Sequence, residues 1–187
     1  MKTSGYKIQS LILGIGLLLI STAGYSQNDK LSKEDKKIAK RDKDYYNFQV
    51  VDSMLNNKTF VLEADFLENQ WGVKKPVSSL LNFIELDSAK AVLQTGSNLG
   101  QGSNGVGGAT AEGTVSGFKI MKNKKNLSFY LRFTILSQIG IYDVSMTIYS
   151  DKDATAEISG LGPGKLTYDG HITNLWDSRA YKGQNSI

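Results

Sequence analysis

The spacing of apolar residues changes near residue 58, from the period of a helix to that of a β-strand. Up to that point apolar side chains recur every three or four positions, which predicts an amphipathic helix. The members of this stripe are Tyr45, Phe48, Val51 and Leu55. The segment before the stripe is almost wholly charged, and Ser32 with Asp35 forms an approximate capping box at its start. Residues 27–57 are therefore predicted to be a charged leader that runs into a docking helix.

Beyond this helix, apolar and polar side chains alternate, as in strands that bury one face. The first strand carries Phe60, Leu62, Ala64 and Phe66 on one side. Eight strands are predicted, at residues 59–66, 78–86, 90–95, 114–121, 128–135, 143–149, 155–158 and 166–172. In the fourth strand the apolar side switches across Ser116 and Gly117, which predicts a β-bulge.

The connections between these strands are short, at residues 87–89, 122–126 and 151–153, which is typical of antiparallel hairpins. The predicted fold is mainly β, with about eight antiparallel strands in a meander and an N-terminal helix before them. Such strands form either a barrel, in the manner of a lipocalin, or a two-sheet sandwich, and periodicity does not distinguish the two. The β domain is predicted to cover residues 58–187, which is enough chain for one core.

The N-terminus has the pattern of a signal peptide. Lys2 and Lys7 precede a short apolar run at residues 11–20, and small residues follow at Gly24 and Ser26. Residues 1–26 are therefore predicted to be a cleaved leader, because the run is too short to span a membrane; the alternative is an uncleaved anchor. We expect a periplasmic or secreted protein with no transmembrane span after cleavage. The sequence contains no cysteine, which excludes disulfides, a lipoprotein anchor and thiolate chemistry.

Positive charge is concentrated in the leader of the mature chain. Removing Lys2 and Lys7 leaves 20 basic against 18 acidic residues, and residues 29–43 hold seven basic and four acidic side chains. The β domain therefore has no basic surplus, and the charge does not favour nucleic acid binding. A leader helix on a membrane surface is an alternative, but its interleaved acidic residues favour a solvated face.

The unusual segment is a glycine-rich stretch, residues 96–108. It contains GxGxxG after a predicted strand, but no helix follows to receive a pyrophosphate, so a dinucleotide site is not indicated. One interpretation is an irregular connection in which glycines supply positive φ angles. The other is a rim loop that contacts a ligand or partner. The candidate ligand-binding residues are Ser97, Asn98, Ser103, Asn104, Gly105, Gly107 and Gly108.

Other candidate chemistry is sparse. His171 is the single histidine, on the outward side of its strand, so neither a metal site nor a cofactor is predicted. Glu63 and Asp65 share a polar strand face where solvated charge is the expected role. Trp71 and Trp176 are expected to pack in the core or at a rim rather than line a cavity. No catalytic residue is assigned.

Several segments resemble a family of exported Bacteroidota proteins, domain of unknown function 4251. The similar segments are residues 57–65 (NKTFVLEAD), 81–86 (LNFIEL), 104–113 (NGVGGATAEG), 140–147 (GIYDVSMT) and 158–161 (ISGL). The resemblance covers nearly the whole mature chain. It implies an envelope location and a single β-rich domain, and it carries no catalytic residue or ligand set.

Three functions remain open. The first is a periplasmic binding or scaffolding module for an apolar small molecule or an envelope partner, and a filled interior would move small-molecule binding to the rim loop. The second is a hydrolase of envelope or glycan polymers, which would need convergent acids in a cleft. The third is a structural partner that pairs through an exposed edge strand. The sequence favours a role other than catalysis.

Two short stretches, 52–54 (DSM) and 87–89 (DSA), fit an O-glycosylation pattern of three residues. A pattern this short also arises by chance. The intact mass of the native protein tests it, because an unmodified mass would exclude the modification.

Overall fold

The computed structural model describes residues 32–97, 107–160 and 164–186. They form one helix, α1 (Lys33–Asn57), and nine strands. The strands are β1 (Thr59–Glu68), β2 (Lys74–Pro76), β3 (Phe83–Asp87), β4 (Lys90–Thr95), β5 (Ala109–Asn123), β6 (Ser128–Ser137), β7 (Gly140–Tyr149), β8 (Asp153–Ser159) and β9 (Lys165–Thr173). The predicted signal peptide lies outside the described residues.

The sheet closes into a barrel. Every ladder is antiparallel, the strand order is β2-β1-β3-β4-β5-β6-β7-β8-β9, and β9 pairs back onto β1. Eight strands therefore complete the ring, and β2 pairs only with one end of β1. The mainly β fold is confirmed, and of the two predicted architectures the chain adopts the barrel. Closure pairs the backbone groups that an open sheet would expose at its edges.

Antiparallel order gives the barrel two distinct ends. We define the loop end as the end of the barrel at which four strands finish: β1 at Glu68, β4 at Thr95, β6 at Ser137 and β8 at Ser159. The helix end carries the tight turns at residues 88–89, 124–127 and 150–152. In these turns Ser88, Leu127 and Lys152 take positive φ angles, a strain that hairpin geometry imposes.

The described residues divide between Ala39 and Lys40 into two units. In the first, Ser32 and Asp35 exchange the predicted capping bonds, of 3.2 and 3.1 Å, which confirms the start of α1. In the second, the buried face of α1 consists of Phe48, Val51, Met54 and Leu55. Tyr45 is exposed, so the predicted stripe begins one turn later than expected.

Side chains fill the barrel interior. The alternating positions of β6 and β7 are buried as predicted, and they join the buried face of α1 in one hydrophobic cluster. The largest fully buried members are Tyr168, Phe60 and Phe129. The hydroxyl of Tyr168 donates a 3.0 Å hydrogen bond to the carbonyl of Gln94, and burial raises the pKa of Tyr168 far above its usual value. The interior is thus a packed core.

Three predictions about the strands are wrong. Residues 78–82 form a turn rather than the start of a strand, and β3 begins only at Phe83. Residues 109–113 begin β5 rather than continuing the loop. Phe66 is exposed, because the register shifts between Ala64 and Phe66 and turns its side chain outward.

The predicted bulge in β5 is confirmed. The β5–β6 register shifts between Ser116 and Lys119, and Gly117 has a φ of 64°. Glycine favours this backbone conformation because it has no Cβ to clash.

A C-terminal segment, residues 174–186, lies on the outer face of β1, β3, β4 and β5. Its Leu175 and Ala180 cover a second apolar cluster made by Val61, Phe83 and Val92. Ser186 exchanges hydrogen bonds with the backbone of Thr110, of 3.0 and 3.1 Å. Outward-facing residues of these strands are buried because the segment covers them. Among the described residues, no helix has the length and apolarity needed to cross a membrane.

Candidate functional site

A cleft of about 450 Å³ opens at the loop end, beside the base of the glycine-rich segment. Its walls come from two connections, the chain after β2 and the chain after β4. The lining residues are Pro76, Val77, Ser78, Gly96 and Ser97. The cleft is of a size that binds small ligands, and its wall mixes apolar side chains with hydroxyl and backbone groups.

Asn82 holds the two walls of this cleft together. Its Nδ2 donates to the carbonyls of Ser78 (2.9 Å) and Gly96 (3.1 Å), and its Oδ1 accepts from the Gly96 amide (3.0 Å). The side chain is buried, and its own backbone carbonyl accepts from the Ala64 amide at 2.9 Å. Asn82 therefore serves as a clamp that sets the position at which the glycine-rich segment leaves β4.

The base of the glycine-rich segment is narrow and requires glycine. The Ser97 hydroxyl donates to the Gly107 carbonyl at 3.2 Å. Gly107 has a φ of 83°, and a Cβ there would lie 2.3 Å from Ser97 Oγ. A Cβ on Gly108 would lie 2.3 Å from the Thr95 carbonyl oxygen. These glycines meet a steric requirement of the connection.

The predicted ligand-binding residues thus divide into two groups. Ser97, Gly107 and Gly108 lie at the cleft or immediately beside it. Asn98, Ser103, Asn104 and Gly105 lie outside the described residues. The prediction that this segment contacts a ligand stays a prediction.

Both tryptophans are exposed, contrary to the expectation that they pack in the core or at a rim. Trp71 is 77% exposed and sits in the turn between β1 and β2, at the loop end. Its backbone amide is held by Asn69 Oδ1 at 3.0 Å, so the turn itself is ordered by a side-chain cap. Trp176 is 86% exposed and follows β9, at the helix end. A large aromatic ring in water is a common feature of contact surfaces.

We expect Asn82→Ala to lower the free energy of unfolding by about 2 kcal/mol, because Gly96 and Ser78 lose buried hydrogen-bond partners. Amide exchange at Gly96 should become faster in the same variant. Chemical denaturation and hydrogen exchange measure the two effects. Asn126→Ala, at an exposed turn residue of the helix end, is the matched control and should change neither. An unchanged exchange rate at Gly96 would contradict the clamp.

A second polar cluster surrounds His171 on the outer face of β1 and β9. Its Nε2 lies 3.6 Å from Glu63 Oε2, and its Nδ1 lies 3.4 Å from Asp65 Oδ2. Glu63 also accepts from the Ser178 hydroxyl (2.6 Å) and the Arg179 amide (3.1 Å). The serine hydroxyl thus donates to the carboxylate and not to the imidazole, an arrangement that differs from a nucleophile activated by histidine. The cluster anchors the C-terminal segment.

Charged side chains next to this cluster, on β2 and β9, also form an ion pair. Lys74 forms a 2.5 Å ion pair with Asp169, and Thr155 donates to the same carboxylate. Burial alone would raise the pKa of Asp169, but the hydrogen bonds from Lys74 and Thr155 outweigh it and hold the pKa below its usual value. Within the described ranges, no group of three or more His, Asp or Glu side chains could hold a metal ion.

Sequence reasoning missed the residues that assemble these sites. Asn82 and Gln94 are polar residues within or beside strands, and polarity alone does not mark a residue as buried. Glu63 and His171 are 108 positions apart and meet only because β9 pairs with β1. One signal was available in the sequence, a polar residue on an otherwise apolar strand. In a closed barrel such a residue indicates that another segment of the chain covers it.

The closed ring, the packed interior and the cleft at one end define a class, small antiparallel β-barrel domains. The chain belongs to the family described as Domain of unknown function (DUF4251), whose model matches residues 42–172. This confirms the family resemblance read from the sequence. No curated protein matches the chain.

A solved relative supports the fold. The chain is similar to a DUF4251 family protein from Bacteroides eggerthii DSM 20697, whose crystal structure was determined at 1.95 Å resolution. The two are 26% identical with a TM-score of 0.60, and the match covers 71% of this chain and 91% of that chain.

Proposed function

We propose that this protein is an exported binding or scaffolding module of the cell envelope, which contacts its ligand or partner through the loop end of the barrel. The observation that carries the proposal is the 450 Å³ cleft at the same end as the exposed Trp71. The signal-peptide pattern of residues 1–26 supports export, and periplasmic or secreted location is part of the proposal.

The packed interior supports a surface role over an enclosed ligand. Buried aromatic side chains from α1, β1, β6 and β9 occupy the space in which a lipocalin would hold a small molecule. An apolar small molecule therefore has the loop-end cleft as its candidate site, where Pro76 and Val77 offer apolar contacts. An envelope partner would use the same surface together with Trp71.

The two alternatives find less support. Edge pairing needs an exposed strand edge. Residues 116–123 of β5 extend past the β4 ladder, and among the described strands β2 is the one that pairs with a single neighbour. That strand has three residues, Lys74, Lys75 and Pro76, and both lysine and proline oppose pairing with another chain. Hydrolysis needs convergent acids in a cleft, whereas Glu63 and Asp65 face a histidine and the C-terminal segment on the barrel surface.

Native mass spectrometry of the protein purified from its own envelope tests the proposal. We expect an adduct of a small molecule or a partner chain in addition to the mass of the mature protein. Replacement of Trp71 with alanine should reduce the adduct fraction at least about fivefold, because large aromatic side chains dominate such contacts.

Trp176→Ala is the matched control, since this residue is also largely exposed but follows β9 at the helix end. It should leave the adduct unchanged. Equal loss in both variants, or no adduct at all in protein from the envelope, would contradict a binding site at the loop end.

A further inference from the structure

A second cleft lies at the bulge of β5, and it shares no residue with the cleft at the loop end. It measures about 320 Å³ and is formed by the outer faces of β5, β6 and β7. Its lining residues are Gly117, Lys119, Arg132, Phe133, Thr134, Asp143 and Val144. The bulge opens the ladder here, because Gly117 and Phe118 together face the single residue Phe133.

Two cations face each other across this opening. Lys119 is paired directly with Arg132 in the β5–β6 ladder. Like charges in directly opposed positions destabilise a sheet. Neither side chain forms an ion pair with any residue of the described part of the chain, whereas Lys74, Lys122, Lys165 and Lys182 each do. The fold therefore retains a repulsive pair at the point where the surface forms a cleft.

The remaining polar groups of the cleft favour a particular kind of anion. Thr134 donates a 2.7 Å hydrogen bond to Asp143, which orients this carboxylate at one side of the cleft. Asp143 accepts hydrogen bonds and repels negative charge, so the group placed near it must be a donor such as a hydroxyl. The guanidinium of Arg132 is suited to bidentate contact with a carboxylate or phosphate.

We propose that this bulge cleft binds a small organic anion that carries hydroxyl groups, with a sugar acid as the fitting chemical class. Lys119 and Arg132 hold the anionic group, and Asp143 accepts from a neighbouring hydroxyl. The site is additional to the loop-end function and does not depend on it.

Titration of the ¹⁵N-labelled mature chain with sodium glucuronate at low ionic strength tests the proposal. We expect saturable chemical-shift changes at Gly117, Lys119 and Arg132. Glucose at equal concentration should cause none, because it lacks the charge. Sodium phosphate is the third probe: weaker binding at the same amides would show that the hydroxyl groups contribute, and binding as tight as that of glucuronate would contradict the role of Asp143.

Variants distinguish glucuronate binding in this cleft from a general effect of positive surface charge. Lys119→Gln combined with Arg132→Gln should weaken glucuronate binding at least about tenfold. Lys124→Gln combined with Lys125→Gln removes two exposed charges from the nearby turn and should leave binding unchanged. Lys119→Glu is a further variant, in which an opposite-charge pair replaces the repulsion; it should bind no glucuronate while its melting temperature rises by about 1–3 °C. Binding retained in Lys119→Glu, or lost equally in the turn variant, would overturn the proposal.

Discussion

Replacement of Gln94 with leucine is expected to lower the free energy of unfolding by about 3–5 kcal/mol, a large effect for one polar side chain. The carboxamide is fully buried and uses all its hydrogen-bonding positions. Nε2 donates to the carbonyls of Leu81 (3.1 Å) and Tyr181 (2.9 Å). Oε1 accepts from the Thr110 hydroxyl (2.9 Å) and the Gly183 amide (2.8 Å). Leucine has a similar size but leaves these partners against an apolar group.

The effect should be largest in the C-terminal segment, because Gln94 is the point at which two of its backbone groups bind the barrel. We expect limited proteolysis after Tyr181 or Lys182 to become at least tenfold faster in Gln94→Leu. Chemical denaturation followed by circular dichroism gives the free energy, and mass spectrometry of the digest locates the cleavage.

Gln138→Leu is the matched control, since this glutamine lies exposed in the turn between β6 and β7. Its free energy of unfolding should change by less than about 0.5 kcal/mol. If Gln94→Leu were as stable as the control, the C-terminal segment would not be held by this side chain, and the burial of Phe83 and Val92 would need another explanation.

The sequence predicts much of this fold because alternation reports burial directly. Phe129 to Ile135 and Val144 to Ile148 alternate without interruption, and both stretches lie in strands with the expected face inward. Closure of the ring, in contrast, cannot be predicted from the alternation of side chains. It depends on the pairing of β1 with β9, between residues about a hundred positions apart, and no local pattern encodes which strands become neighbours.

The errors have specific physical causes. Residues 109–113 look like loop because most of them are small, yet Ala111 is buried in the interior cluster where β4 and β5 pair. At Gly113 a Cβ would lie 2.2 Å from the Leu136 carbonyl oxygen, so glycine marks a close approach of two strands. Composition alone does not separate a glycine that permits a turn from a glycine that permits packing.

The candidate site could likewise be predicted only in part, because it is assembled by residues that are distant in the sequence. The glycine-rich segment stands out in the sequence, but the cleft beside it depends on Asn82, whose amide joins two connections. The bulge at Gly117 was predictable from the switch of the apolar face. The meeting of Lys119 and Arg132 follows only from the register that this bulge creates.

Phe129→Ala is expected to lower the free energy of unfolding by about 3–5 kcal/mol, through lost apolar burial and the cavity that remains. Phe129 is fully buried, and its ring stacks on that of Phe48 in α1, with centroids 4.5 Å apart and planes inclined by 17°. The same replacement should loosen α1, so hydrogen exchange in residues 48–55 should accelerate more than exchange in β8. Denaturation and residue-resolved exchange measure both effects.

A double-mutant cycle between Phe48 and Phe129 tests whether the helix is part of the core or only rests on it. Each alanine variant removes the ring contact, so the double variant should be more stable than the sum predicts, by about 0.5–1.5 kcal/mol. Tyr46→Ala, an exposed aromatic residue of the same helix, is the control and should lie within about 0.5 kcal/mol of the parent. Strict additivity of the two phenylalanine variants would contradict direct coupling, and α1 would then stabilise the barrel by covering its end without interlocking with its interior.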